Sequence, residues 1–311
     1  LFTDFRYQVW AQQEAPAFHI VTYKESLDKT LPDYLKDLRV GRLGFEEVYF
    51  TYRQYHRFKK SAQEAGLKVK WLPLEGLVEE LREVKTAEEL AAIRRALTLT
   101  ENVFQQVAAA LTPGMTEAQA AWEIEKRLRQ EGSEGVAFPP IVAAGPNSAR
   151  PHHQSGDYVL KTGEPIIIDM GARVDGYCAD LTRTLVLGEP DEQFRKIYSL
   201  VRQAQDRAER ELKAGMESLA GDALARDIIA AAGYGEAFGH SLGHGVGLAV
   251  HEAPSLSPYK ERSSILKADS VMTVEPGIYL TGWGGVRLED MVRLTDEGAE
   301  VLNGLRDFYE W

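Results

Sequence analysis

Three of the chain's seven histidines fall within twelve positions, in Gly239-His240-Ser241-Leu242-Gly243-His244-Gly245-Val246-Gly247-Leu248-Ala249-Val250-His251-Glu252. Glycines interleave them. The backbone can therefore come close to a ligand, and the imidazoles are freed from helical spacing. Carboxylates stand in strand-like segments on either side. Upstream lie Ile168-Asp169-Met170-Gly171 and Ala179-Asp180-Leu181-Thr182; downstream lie Val274-Glu275-Pro276-Gly277 and Val286-Arg287-Leu288-Glu289-Asp290. Four acids and one histidine on such backbone read as a metal site. Oxygen-rich ligation with a single imidazole suits Mn²⁺, Co²⁺ or Zn²⁺ rather than a thiolate-bound structural zinc. Two divalent cations would neutralise Asp169, Asp180, Glu275 and Glu289.

Turn chemistry sets the geometry these acids need. Asp175-Gly176 is a strong two-residue hairpin signal. With those residues central, Asp180 faces Gly171, and Asp169 lies two residues along on the same face, diagonal to Asp180. Diagonal neighbours are roughly 7–8 Å apart, within reach of one ion or an adjacent pair. A one-residue slip would send the two acids to opposite faces. A second hairpin centred on Gly282 places Glu275 directly opposite Glu289 and puts Arg287 on the Glu289 face. Like charges directly opposed are destabilising, so the pair must be exposed, protonated or held by a cation. Pro276 implies an edge or a bend in the first of these strands.

The elements that carry these segments follow from pattern. The chain has 311 residues, 44% apolar and 27% charged, enough for two domains. Residues 1–75 form an α/β segment without clustered polar chemistry, and residues 76–311 form the second domain, with the boundary between Leu74 and Lys85. Capping boxes at Thr86/Glu89 and Thr116/Gln119 open two helices. The first shows a buried stripe of Leu90, Ile93, Leu97, Thr100, Phe104, Val107 and Leu111. Residues 136–187 are strand-like, residues 191–213 and 218–232 helical, and residues 271–295 strand-like again. That order suggests a duplicated α+β unit. A net charge of −11 argues against nucleic acid and anionic membrane surfaces, and no apolar run is long enough to span a bilayer. The single cysteine, Cys178, excludes an internal disulfide and fits a reducing, cytoplasmic compartment. The opening Leu1-Phe2-Thr3-Asp4-Phe5 reads as mid-strand, as if the first domain were incomplete.

Taken together the motifs resemble the metallopeptidases of the methionine aminopeptidase, prolidase and aminopeptidase P group, over about residues 75–305. The histidine segment fits the proline-peptidase signature at each constrained position, and the four acid-bearing segments fit its other blocks. Ala143-Ala144-Gly145-Pro146-Asn147-Ser148-Ala149-Arg150-Pro151-His152 resembles the block with an upstream active-site histidine. Residues 1–75 resemble the later part of the N-terminal domain of the proline-specific members. The resemblance implies an α+β "pita-bread" catalytic domain and two divalent metals per subunit, manganese first, cobalt or zinc next. It implies that Asp169 binds one metal, that His244 and Glu275 bind the other, and that Asp180 and Glu289 bridge them. Glu275 would also shuttle a proton from water to the leaving proline nitrogen, and His152 and His251 would stabilise the oxyanion or hold the peptide. His240 and Arg287 would line the substrate site, Arg287 pairing with a substrate or neighbouring carboxylate. His153, His19 and His56 are expected to be idle, and Cys178 a buried small hydrophobe. The implied activity is removal of the first residue from peptides with proline second, by a homodimer that binds neither nucleic acid nor membrane. A Xaa-Pro dipeptidase is favoured over an aminopeptidase P acting on longer peptides. A methionine aminopeptidase stands further off, since the N-terminal extension, His251-Glu252 and Arg287 before Leu288-Glu289 resemble the proline-specific type, and a metal-free creatinase-like hydrolase or a ligand-losing binding relative further still, since no ligand is lost here.

Overall fold

The protein divides into two compact units, Leu1–Leu77 and Val78–Trp311. The structure, a computed structural model, describes residues 1–306 and Tyr309. The first unit has two short parallel strand pairs, Phe2–Thr3 with Val21–Thr22 and Arg42–Glu46 with Lys70–Leu74. Parallel pairing demands a crossover, and the helix Tyr52–Glu64 supplies it between the second pair. The opening strand is only two residues long. His19 and His56 are exposed.

The second unit repeats one plan twice: two helices, then an antiparallel sheet. Helices Ala87–Ala110 and Glu117–Gln130 both begin at the expected capping boxes, closed by Thr86 with Glu89 and by Thr116 with Gln119. The stripe Ile93, Leu97, Thr100, Phe104 and Val107 is buried, with Leu90 only partly so. Thr100, the polar member, is satisfied: its Oγ1 donates to the Ala96 carbonyl at 2.8 Å and accepts from Ala172 N at 2.9 Å. Both helices pack on the sheet Ile141–Ala144, Pro165–Met170, Leu181–Val186. The second pair, Glu192–Glu211 and Ser218–Ala231, packs on a five-stranded sheet. Its strands run Glu252–Leu256, Gly243–Gly245, Val271–Val274, Asp290–Leu294 and Ala299–Val301. A third apolar cluster, with Ile93, Leu97, Ala179, Val246, Val271 and Met291, joins the halves; Cys178 is buried in it as a small apolar group. This is the mixed helix-and-sheet pita-bread arrangement. Among the described residues no helix is long and apolar enough to cross a membrane.

The hairpin registers match those expected from turn chemistry. Asp175 and Gly176 have φ of 51° and 80°, as a type I′ turn requires. Arg173 pairs with Cys178 across the turn, and Asp169 pairs with Thr182 in the sheet beyond it. In the second hairpin Leu280 pairs with Gly284 and Gly277 with Arg287. The ladder then breaks at Pro276 and resumes in the same register, Val274 with Asp290. Gly171 lies between the two acids for a reason the hairpin alone does not reveal: a Cβ there would run into the Ala179 carbonyl. Backbone cannot yield as a flexible side chain can, so Gly171→Ala is expected to cost about 1–3 kcal/mol. A urea midpoint for the metal-free variant equal to that of the parent would refute the close approach.

Candidate metal centre and active site

The five expected ligands come from both halves of the second unit and converge. Asp169 and Asp180 come from the three-stranded side, His244 from the strand Gly243–Gly245, and Glu275 and Glu289 from the interrupted hairpin. The break at Pro276 releases the backbone of both glutamates to bond outward. Glu275 N donates to the Leu242 carbonyl at 2.8 Å, and Glu289 N to the Thr182 carbonyl at 3.1 Å. Each glutamate is thus tied to a different sheet, and their side chains meet where the halves join. Ligand atoms of Asp180, His244 and Glu289 all lie within 4.8 Å of one another. His244 Nε2 is 3.6 Å from Asp180 Oδ2 and 3.3 Å from Glu275 Oε1. Its other nitrogen, Nδ1, lies 3.1 Å from the Gly245 carbonyl. A carbonyl only accepts, so Nδ1 carries the proton and Nε2 is the nitrogen aimed at the acids. Gly243 and Gly245 let this strand lie against its neighbours, because a Cβ at either would strike a backbone carbonyl.

The electrostatics are those of a cation site. Burial, then the charges of Glu289 and Asp169, hold the Asp180 carboxyl well above its ordinary range. Burial and the charges of Glu275 and Asp169 do the same to Glu289. Asp169 is raised by burial, against the opposing charge of Arg287. Burial would also raise Glu275, but its hydrogen bond to His244 and that residue's charge prevail and bring it down to about 2. Reciprocally, burial would lower His244, yet Glu275 raises it. A proton shared between His244 and Glu275 thus partly offsets the negative charge of the cluster. Asp169 Oδ1 is buried without a hydrogen-bond partner. An orphaned carboxylate oxygen, clustered acids and an imidazole with Nε2 turned toward them all fit divalent cations.

The ligands open into a pocket of about 510 Å³, within the usual range for small-ligand sites. His152 and His251 line it from exposed positions, and the apolar Phe138, Pro139 and Ile141 form part of the wall. The His251 ring lies 4.1 Å from the His244 ring, and burial and His244 lower its pKa. His240 and Arg287 both line the pocket, each held by the protein's own groups. His240 reaches the pocket, but its ring nitrogens are occupied. Burial lowers its pKa and keeps it neutral. Its Nδ1 donates to the Ser241 carbonyl at 2.8 Å, and Nε2 accepts from Tyr279 OH at 2.9 Å. No N–H remains for a substrate. Arg287 is likewise engaged by the protein. It donates to Asp169 Oδ2 at 2.6 Å, Tyr279 OH at 3.0 Å, Thr182 Oγ1 at 3.2 Å and the Pro151 carbonyl at 3.3 Å. Of its five donors one is left, so a bidentate grip on a substrate carboxylate is not available in this geometry. Thr182 and Tyr279 were not picked out by sequence reasoning. Thr182 Oγ1 donates to Glu289 Oε2 at 2.7 Å, and its parity with Asp180 on the same strand was the available signal.

Comparison with known proteins gives the family. The model of "Metallopeptidase family M24" matches residues 91–296. The chain belongs to that family. "Creatinase/Prolidase N-terminal domain" matches residues 1–84. The Xaa-Pro dipeptidase of Pyrococcus furiosus is 39% identical over 260 residues, spanning 84% of this chain and 73% of that protein. A solved Xaa-Pro dipeptidase from Bacillus anthracis superposes with a TM-score of 0.93 at 38% identity, covering 98% of this chain and 84% of the other. An X-Pro aminopeptidase from Thermotoga maritima gives 0.89 at 39% identity, covering 98% and 85%. As an M24 member the protein is a metallopeptidase, and divalent metal ions belong to its function.

Proton and metal would compete for these side chains. Asp180, Glu289 and His244 all hold protons to higher pH than usual in the metal-free protein. Metal must displace those protons, so affinity falls as pH falls. Titrating Mn²⁺ into metal-free protein should release protons near neutral pH, measured as heats that differ between buffers of unlike ionisation enthalpy. Heats independent of the buffer would contradict the shifts.

Proposed function

We propose that this protein is a metal-dependent Xaa-Pro dipeptidase, a cytoplasmic homodimer that removes the first residue of a dipeptide with proline second. The observation that carries the reading is the convergence of Asp169, Asp180, His244, Glu275 and Glu289 on the floor of a pocket rimmed by His152 and His251. Asp169 would serve one metal and His244 with Glu275 the other, while Asp180 and Glu289 would be shared. Two divalent ions held there, with manganese preferred, supply charge that acidifies a water and polarises a carbonyl.

The remaining work falls to side chains. Glu275 accepts the proton of the attacking water on a carboxylate oxygen and delivers it to the proline nitrogen as the peptide bond breaks. An amine leaving group must be protonated, and Glu275 is a ligand also open to the pocket. His152 and His251 each have a ring N–H to donate where negative charge develops on the carbonyl oxygen. His240 packs the wall as a neutral ring. Arg287 holds Asp169 in place and, through Thr182, orients Glu289. A single ammonium cannot span those acceptors. Arg287→Lys should therefore weaken metal binding and lower kcat, with KM the lesser change. The dimer reading draws on the exposed Phe5, Tyr7, Trp10 and Phe18 of the first unit, and sedimentation of an active monomer would refute it.

Substrate length separates the two proline-specific readings. With Mn²⁺ present, Xaa-Pro should be cleaved faster than Xaa-Pro-Yaa, and Xaa-Ala poorly. The reverse order of the first two would give the aminopeptidase P reading, which the Thermotoga maritima relative favours by its name. Equal cleavage of Xaa-Ala and Xaa-Pro would remove the proline preference. Glu275→Gln should lose about 10²–10⁴-fold in kcat even where excess Mn²⁺ restores metal content. Full activity in that variant would exclude Glu275 as the proton carrier.

A further inference from the structure

The catalytic histidine at the pocket rim, His152, is anchored through its two chain neighbours. On one side the Pro151 carbonyl accepts from Arg287 Nη1 at 3.3 Å. On the other side His153 Nε2 meets Glu117 Oε2 at 2.8 Å. His153 was expected to be idle. The structure instead gives it a buried carboxylate.

Glu117 has no solvent exposure at all. It lies outside the metal cluster, at the start of the helix Glu117–Gln130, where the helix dipole favours negative charge. Its Oε1 accepts from Ala144 N at 2.8 Å and from Asn147 Nδ2 at 3.0 Å. Its Oε2 accepts from Gly156 N at 3.2 Å as well as from His153. Four contacts to one ionised group require four donors, so His153 Nε2 carries its proton. One side chain thus ties together the end of a strand, the 3₁₀ turn after it and the loop beyond, from residue 144 to residue 156. His153 N also donates to the Arg150 carbonyl at 3.1 Å, closing the turn in which His152 stands. Among the described residues no hydrogen bond holds the His152 ring itself. Its direction is therefore set by the backbone between two anchors.

We propose that Glu117, acting through His153, positions His152 toward the reacting carbonyl; this rests on the role given to His152 above. Glu117 and His153 are positioning residues, and their effect passes through His152 alone. A displacement of about 1 Å at a group that acts on the transition state costs on the order of a hundredfold in rate.

A double-mutant cycle tests this on the metal-loaded full chain with a Xaa-Pro dipeptide. Glu117 variants could fail to fold, so the cycle uses His153. His153→Ala should lower kcat by about ten- to a hundredfold with KM and bound metal unchanged. His153→Gln places an amide donor near the same point and should restore most of the loss. In the His152→Ala background, His153→Ala should cost nothing further. An equal fold-loss in both backgrounds, or a loss of metal, would overturn the coupling while leaving His152 its role. If His152→Ala alone leaves kcat unchanged, the role of His152 falls and this proposal falls with it.

Discussion

Like-charge repulsion among four clustered carboxylates, two buried and two partly buried, is the constraint on which the site depends. Asp169, Asp180, Glu275 and Glu289 cannot all ionise side by side in a low-dielectric junction without a countercharge. The protein supplies only part of it: Arg287 beside Asp169, and a proton shared by His244 and Glu275. Asp180 and Glu289 are left with raised pKa values, Asp180 sharing with Glu275 the one imidazole of His244, 3.6 Å from its Oδ2. A cluster arranged this way is destabilised as a metal-free object and relieved by cations. The strain that holds the ligands ready for metal is therefore the repulsion itself, contained by hydrogen bonds to backbone and to Thr182.

Containment explains the interruption in the second hairpin. A continuous ladder would force Glu275 and Glu289 to share backbone hydrogen bonds while their side chains repelled. Pro276 breaks the ladder where they stand, and each amide turns to another segment, Leu242 for Glu275 and Thr182 for Glu289. The second of these bonds also stitches the halves of the second unit together, since Thr182 belongs to the three-stranded sheet. Arg183 reinforces this. It is almost wholly buried and donates to the Glu289 carbonyl and, at 2.7 Å, to Asp290 Oδ1. A residue adjoining a ligand is thus held by a full charge, and Glu289 inherits that rigidity.

Much of this was legible in the chain because it is local. The type I′ signal at Asp175-Gly176 dictates the register that puts Asp169 and Asp180 on one face, and the hairpin around Gly282 does the same for Glu275 and Glu289. Capping boxes marked the starts of two helices for the same reason: the partners are three residues apart. What stayed hidden is non-local. Glu117 and His153 are far apart in sequence, and nothing in either neighbourhood announces a shared hydrogen bond. Thr182 and Tyr279 gain meaning only once Arg287 is seen between them. For Arg287, proximity to the four acids and pairing with a carboxylate were legible, while which acceptors reach it first was not. Parity gives the face of a strand, not which partners reach it first.

The wiring of Arg287 also accounts for the state of His240. Tyr279 OH accepts from Arg287 at 3.0 Å, so its own proton goes to His240 Nε2. Burial pushes the Tyr279 phenol up to about 12, so it stays a donor. His240 is then fixed neutral, with its one N–H turned to a backbone carbonyl. Three histidines crowd one short segment, yet each has a different protonation logic. His240 is neutral because its hydrogen bonds demand it. His251 is neutral because burial and His244 disfavour a second charge. His244 alone is pushed toward the charged form, by Glu275, and a metal would take that proton's place. Three identical side chains thus have their protonation states set in three different ways by the groups opposite them, which is why counting histidines in the sequence located the cluster but could not apportion their parts in it.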